Sequence, residues 1–307
     1  MDRIFVAIAS YRDVECQWTV RDLFEKARHP ERVFVGLCWQ FISPDDDHMF
    51  QERAREEQVR CIAFDARHSL GACWAKSEAL ALRRDEEYVL QIDSHMRFAE
   101  AWDERMPEVL AQCPSPRPIL SAYPAAYEPP DKRTIDTPHV IANKFDDNRV
   151  LGFHSKLVSE HRPRRNAWLA AGYIFARRQL FDEVPYDPTI YFIGEEVTFA
   201  ARAWTSGWDM FTPHECLIHH HYVRKGHRRH WDDHGEWWKR EAVSAQRVRH
   251  LLGTEPATMP EATVGLDGSF GLGRARTLAE YEAFAGVDFL RCEISERARA
   301  GDYGYAP

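Results

Sequence analysis

The sequence predicts an α/β fold with a largely parallel sheet of nucleotide-binding type, on three observations. Short apolar runs bounded by polar turns alternate with segments carrying apolar residues at helical spacing. The alternation recurs at the spacing of βαβ units. Several apolar runs end on an aspartate (Asp13, Asp65, Asp93), where such sheets gather their ligands beyond the carboxyl ends of the strands.

The elements follow in order. Residues 3–9 read as a buried strand, and Ser10-Tyr11-Arg12-Asp13 as the loop leaving it. Residues 16–28 place Val20, Leu23, Phe24 and Ala27 on one helical face, and Pro30 ends that helix. A strand over 32–39 precedes a polar loop with Pro44 and three aspartates, then a charged helix over 50–58. A strand over 59–64, an amphipathic helix over 71–82 and a strand over 88–92 complete this half. Residues 113–138 are proline-rich and predict an ordered, irregular loop around a short strand at 119–122; residues 114–148 are the candidate acceptor loop. Residues 167–176 are small and apolar. A helix over 195–206 stops at Gly207, a strand spans 208–211, and 214–223 is a strand or extended rim. A polar, aromatic helix over 227–253 carries Trp231, Trp237 and Trp238; a glycine-rich turn (Gly265 to Gly273) and a helix over 277–285 close the chain. No internal repeat is present.

Composition narrows the function. At 307 residues and 44% hydrophobic, the chain can bury a full α/β core, and one domain is the expectation. The net charge of -8, with both signs interspersed, argues against a nucleic-acid partner. The apolar run after Arg3 is too short for a secretory signal, and no stretch approaches a membrane span. Seven cysteines without CxxC pairs read as reduced core thiols, which predicts a cytoplasmic protein.

Three constellations carry chemistry. Asp93-Ser94-His95 follows a buried strand, and extended alternation puts Asp93 and His95 on one side, able to reach one divalent cation. A carboxylate with an imidazole suits Mn²⁺ better than Mg²⁺. The competing reading is a turn-capping aspartate with an incidental histidine. Next come His219-His220-His221, of which an extended chain can aim one or two at an ion, with Arg224, Lys225, Arg228 and Arg229 suited to a diphosphate. A solvated basic loop is the alternative. Residues 224–234 are expected to be loose until a diphosphate orders them. Third, Gly194-Glu195-Glu196 opens a helix: either carboxylate complements the helix dipole, or Glu195 faces a sugar's hydroxyls. Ala170-Ala171-Gly172 allows close backbone approach.

These motifs, in this order, form a series. Asp93-Ser94-His95, Ala170-Ala171-Gly172, Gly194-Glu195-Glu196 to Arg202-x-Trp204-x-x-Gly207, and Pro213 to His221-x-x-Arg224-Lys225 are similar to the GT-A core of the polypeptide GalNAc-transferases. With Ile8-Ala9-Ser10-Tyr11-Arg12-Asp13 and Phe270-Gly271-Leu272-Gly273-x-x-Arg276-Thr277, the chain resembles still more closely the GlcNAc glycosyltransferase family, over nearly its whole length. That family includes cytoplasmic transferases that modify hydroxyproline on a ubiquitin-ligase subunit.

The resemblance implies a GT-A, Rossmann-like fold, with residues 1–307 as one catalytic domain: a core over 1–226 and a C-terminal extension over 227–307. It implies Mn²⁺ (or Mg²⁺), a UDP-sugar donor and transfer with retention to a hydroxyl of a protein or small molecule. Asp93, His95 and His221 match the metal ligands. Asp93, His95, Glu195 and Glu196 are the candidate catalytic residues, Glu195 matching the glutamate that holds the donor sugar. Ser10, Tyr11, Arg12 and Asp13 match the loop that meets the uridine. Asp65, Arg67, Gly71, Trp74, Lys76, Ser94, Ala171, Gly172 and Arg224 complete the implied donor site. Two other readings compete: a metal-dependent nucleotidyltransferase, although no glycine- and lysine-rich phosphate loop follows Ala9, and a carbohydrate-binding protein using some of its ten tryptophans.

Overall fold

The computed structural model describes residues 2–51, 55–224 and 226–304. The middle of the helix expected over 50–58, and Lys225, lie outside the described residues. Strands β1 (Ile4–Tyr11), β2 (Val33–Phe41), β3 (Val59–Asp65) and β4 (Tyr88–Asp93) form the parallel half of the central sheet, with helices α1 (Glu15–Glu25) and α2 (Ala72–Ala81) among them. The run Ile4 to Ile8 lacks polar alternation because both faces of β1 are buried. Ile4, Val6 and Ile8 enter the core packed by α1, while Phe5 and Ala7 enter the opposite core layer beside α2.

Beyond β4 come β5 (Met96–Phe98), helix α3 (Trp102–Ala111), β6 (Pro118–Ser121), β7 (Ala125–Glu128), β8 (Lys132–Arg133), β9 (Thr137–Phe145), β10 (Leu151–Val158), β11 (Arg164–Asn166) and β12 (Tyr173–Arg177). Helices α4 (Gln179–Glu183) and α5 (Glu195–Thr205) precede β13 (Asp209–Thr212) and β14 (Ile218–His220). The large sheet runs β11-β13-β6-β12-β4-β1-β2-β3, with β12 and β11 antiparallel to their neighbours. A second sheet, β5-β14-β7-β8, stands at the carboxyl end of β4. Its register places His220 opposite Met96, hence beside His95.

Three expectations are corrected. The segment expected as a loop around one short strand also contains β7, β8 and the first two residues of β9, whose prolines and charged residues hide their alternation. Within the helix expected over 50–58, Glu56–Gln58 is a single 3-10 turn, entered through Arg55 at φ 55°, a left-handed conformation that interrupts a helix. The helix expected over 227–253 is two, α6 (His230–Asp233) and α7 (Trp237–Leu251), with Gly235 between them. After α7, α8 (Leu278–Ala285) and α9 (Glu296–Ala300) pack onto the main core: Tyr281 donates to the carbonyl of Ala167 at 2.8 Å, and Trp168 to Tyr303 at 2.6 Å. Among the described residues, no helix is long and apolar enough to cross a membrane.

Candidate active site

The carboxyl end of β4 opens onto two clefts that share one wall. The first, about 480 Å³, runs past Tyr11, the start of α2 at Gly71, and the segment from Arg224 to Trp231. The second, about 390 Å³, lies between Gly172, the start of α5, Tyr123 and the beginning of β10. Lys76, Asp93, Phe192, His220 and Tyr222 line both. The first cleft is cationic, with Lys76, Arg224, Arg228 and Arg229; the second presents Glu195 and Glu196.

Asp93, His95 and His220 meet in the shared wall, each offering a ligand atom within 4.8 Å of the others. His95 Nε2 and His220 Nε2 lie 2.9 Å apart, and His220 Nε2 lies 3.4 Å from Asp93 Oδ2. Two bonds of about 2.1 Å at right angles hold their ligand atoms about 3 Å apart, so this set fits one divalent ion. His221 does not join it. Successive residues of an extended chain face opposite sides, so His221 turns toward Tyr127 and lies 3.9 Å from Glu15. His219 also faces away, with Nε2 donating to the carbonyl of Thr134 at 3.0 Å.

Gly172 leaves room for this arrangement: a Cβ there would lie 2.6 Å from Asp93 Oδ2. Burial pushes the Asp93 carboxyl up, but His220 and Lys76 outweigh it and hold it well below the usual range. Burial pushes the His95 imidazole down to about 4, against the pull of Asp13.

The other expected residues divide into two groups. Tyr11, Asp13, Gly71, Lys76, Ser94 and Arg224 line the first cleft, and Ala171, Gly172, Glu195 and Glu196 the second. Ser10, Arg12, Asp65, Arg67 and Trp74 line neither. Ser10 is wholly buried. The Arg12 guanidinium is held by Asp46 at 2.6 Å and Asp233 at 3.0 Å. Asp65 and Arg67 pair with each other on the surface. They end the outermost strand, three places from β4, which at the usual interstrand spacing is about 14 Å. Trp74 packs on Phe64.

Lys76 is buried and pairs with Glu195 at 2.6 Å, and Glu195 also accepts from the Tyr186 hydroxyl. Burial would lower the Lys76 ammonium, but Glu195 and Asp93 hold it above its ordinary value. Glu196 accepts from the Ala171 N–H and the Tyr123 hydroxyl, each at 3.0 Å, and burial pushes its carboxyl up to about 7.

Within the segment 224–234, expected to be loose until a diphosphate orders it, residues 226–234 make side-chain contacts to the core. Asp233 accepts from Tyr11 and Arg12, His230 meets the Tyr191 hydroxyl at 2.7 Å, and His234 donates to the Ala66 carbonyl at 3.0 Å. Sequence reading missed Gln40, Tyr123, Tyr191, Phe192, Tyr222 and Trp231 as cleft residues. For all but Gln40, which carried none, the only signal was aromatic content, which core packing explains equally well.

The fold is that of the GT-A glycosyltransferases. The family model described as Glycosyltransferase (GlcNAc) matches residues 3–54 and 43–291, and the chain belongs to that family. No curated protein matches it in sequence. Among solved structures it is similar to GalNAc-T7 crystallised with UDP, GalNAc and Mn²⁺, at TM-score 0.61 and 13% identity. That match covers 93% of this chain and 58% of the other, less than two thirds of its length. It is also similar to Staphylococcus aureus TarS 1–349 in complex with UDP-GlcNAc, at TM-score 0.50 and 12% identity, over 85% of this chain and 68% of that one. At such identities the likeness establishes the fold.

Proposed function

We propose that the protein transfers N-acetylglucosamine from UDP-GlcNAc to an acceptor hydroxyl, on a protein or a small molecule, using Mn²⁺ and retaining anomeric configuration. The observation that carries this reading is the Asp93–His95–His220 cluster in the wall between a cationic cleft and a carboxylate-lined one. Two imidazoles and one carboxylate favour Mn²⁺ over Mg²⁺. The bound cation would supply Lewis-acid stabilisation of charge on the departing diphosphate.

The residues divide the remaining work. Tyr11, Tyr191 and Trp231 offer aromatic surface for the base. Arg224, Arg228 and the amino end of α2 receive the diphosphate. The sugar crosses the shared wall at Gly172, where the missing side chain lets it approach Asp93, and its hydroxyls face Glu195 and Glu196. The acceptor enters along Tyr123, Leu151, Phe153 and Ile193, whose apolar surface excludes water from the reacting centre. Family membership favours this reading over nucleotidyl transfer or simple carbohydrate binding.

The test pairs neighbouring histidines. Asp93→Ala and His220→Ala should each lower Mn²⁺-dependent UDP-GlcNAc turnover by about 100-fold or more, roughly 2.7 kcal/mol of transition-state stabilisation. His221→Ala should stay close to wild type. Near-normal turnover in Asp93→Ala would overturn the assignment.

A further inference from the structure

Asp13 lies under the site and is 3% exposed. Its backbone and side chain begin α1: Oδ1 accepts the N–H of Glu15 at 3.1 Å, which fixes the carboxylate's orientation. Oδ2 then gathers three further groups, each at 2.8 Å: the Ser94 hydroxyl, His95 Nδ1 and Arg224 Nη1. A carboxylate that already takes hydroxyl and guanidinium donors accepts from His95 as well, so Nδ1 carries the proton. The other ring nitrogen, Nε2, is then bare, and it is the atom that faces His220 and Asp93. His220 has no such brace: its Nδ1 is buried without a hydrogen-bond partner among the described residues.

We propose that Asp13 is a positioning residue that fixes the tautomer and ring orientation of His95 for the metal, rather than a contact to the uridine. The inference rests on the metal reading of the Asp93–His95–His220 cluster. A carboxylate behind a ligating imidazole raises its basicity and removes the rotational freedom it would otherwise lose on binding; losing such a partner typically weakens metal affinity 10–100-fold. The side chain of Asp13 is committed to protein donors on both oxygens, which leaves a base little to bind. Its contact with Arg224 also ties the orienting carboxylate to the arm proposed to receive the diphosphate.

Two measurements test this. Mn²⁺ binding in the presence of UDP is followed by electron paramagnetic resonance in the wild type and in Asp13→Asn, which keeps the shape and removes the charge. Mn²⁺ should bind Asp13→Asn about 10–100-fold more weakly. Equal Mn²⁺ affinity in the two proteins overturns the role of Asp13 and leaves the metal reading standing; a wild type that binds no Mn²⁺ overturns both. The second measurement needs no variant. Long-range proton–nitrogen correlation spectra of the metal-free wild type should show His95 protonated at Nδ1 and bare at Nε2, and the opposite tautomer refutes the inference even if Asp13→Asn fails to fold.

Discussion

Gly172 is glycine because Asp93 occupies the space its side chain would need. A Cβ there would stand 2.6 Å from Oδ2, far inside van der Waals contact. Gly172→Ala should therefore push the Asp93 carboxylate out of line with His95 and His220. We expect kcat/KM to fall at least tenfold, about 1.4 kcal/mol, in a protein that still folds; unchanged kinetics would show that the carboxylate has room to move. The same scale explains why Glu195 has two consequences. It lines the second cleft, proposed above for the sugar, and also neutralises the buried Lys76. Breaking a buried pair by removing one partner costs about 3–5 kcal/mol, so an activity loss in Glu195→Ala would mix chemistry with folding.

The arm after β14 is an element whose anchors are known one by one. Arg224 rests on Asp13, and α6 is held by Tyr11 and Arg12 through Asp233, by Tyr191 through His230, and by the Ala66 carbonyl through His234. These are polar contacts around a four-residue helix with no buried residue of its own, so opening costs little. The arm carries the arginines of the first cleft, and diphosphate binding adds charge-assisted bonds to a segment already near its closed position. Amide hydrogen exchange over 226–234 should slow when UDP and Mn²⁺ are added together. Equal exchange in both states would mean that the arm is a fixed wall and not a closing cover.

At the scale of the whole molecule, the chain after 227 is fastened to the core by buried groups, one of which titrates. His139 is fully buried on β9: Nε2 donates to the Gly301 carbonyl at 3.0 Å, and Nδ1 accepts from Thr212 at 2.7 Å. Burial, with Arg164 nearby, pushes its pKa down to about 4. The unfolded chain takes up that proton near pH 6.5. Between these values the unfolded state binds the proton and the folded state does not, so stability is fully present above about 6.5 and declines as pH falls toward 4. The loss reaches about 3 kcal/mol. Denaturation from pH 7.5 to 4.5 should show His139→Gln losing less stability than the wild type, and parallel curves would rule the residue out.

Much of this protein is legible in the chain before it folds. Continuous apolar runs at Ile4 to Ile8 and Tyr88 to Ile92 identify doubly buried strands, and Asp93-Ser94-His95 after the second marks the rim where a cation can be held. Those features are local, set by alternation and by what a strand end exposes. The sequence left three adjacent histidines as candidates for the third ligand, and the family resemblance favoured His221. The pairing of β14 with β5 turned His220 toward Asp93, because register between distant strands decides which side of an extended chain faces inward. Strand order likewise removed Asp65 from the rim occupied by Asp13 and Asp93, although all three end strands. Asp13 meets His95 Nδ1 for the same reason: β1 and β4 are adjacent, and adjacency is a property of the folded sheet that spacing along the chain does not carry.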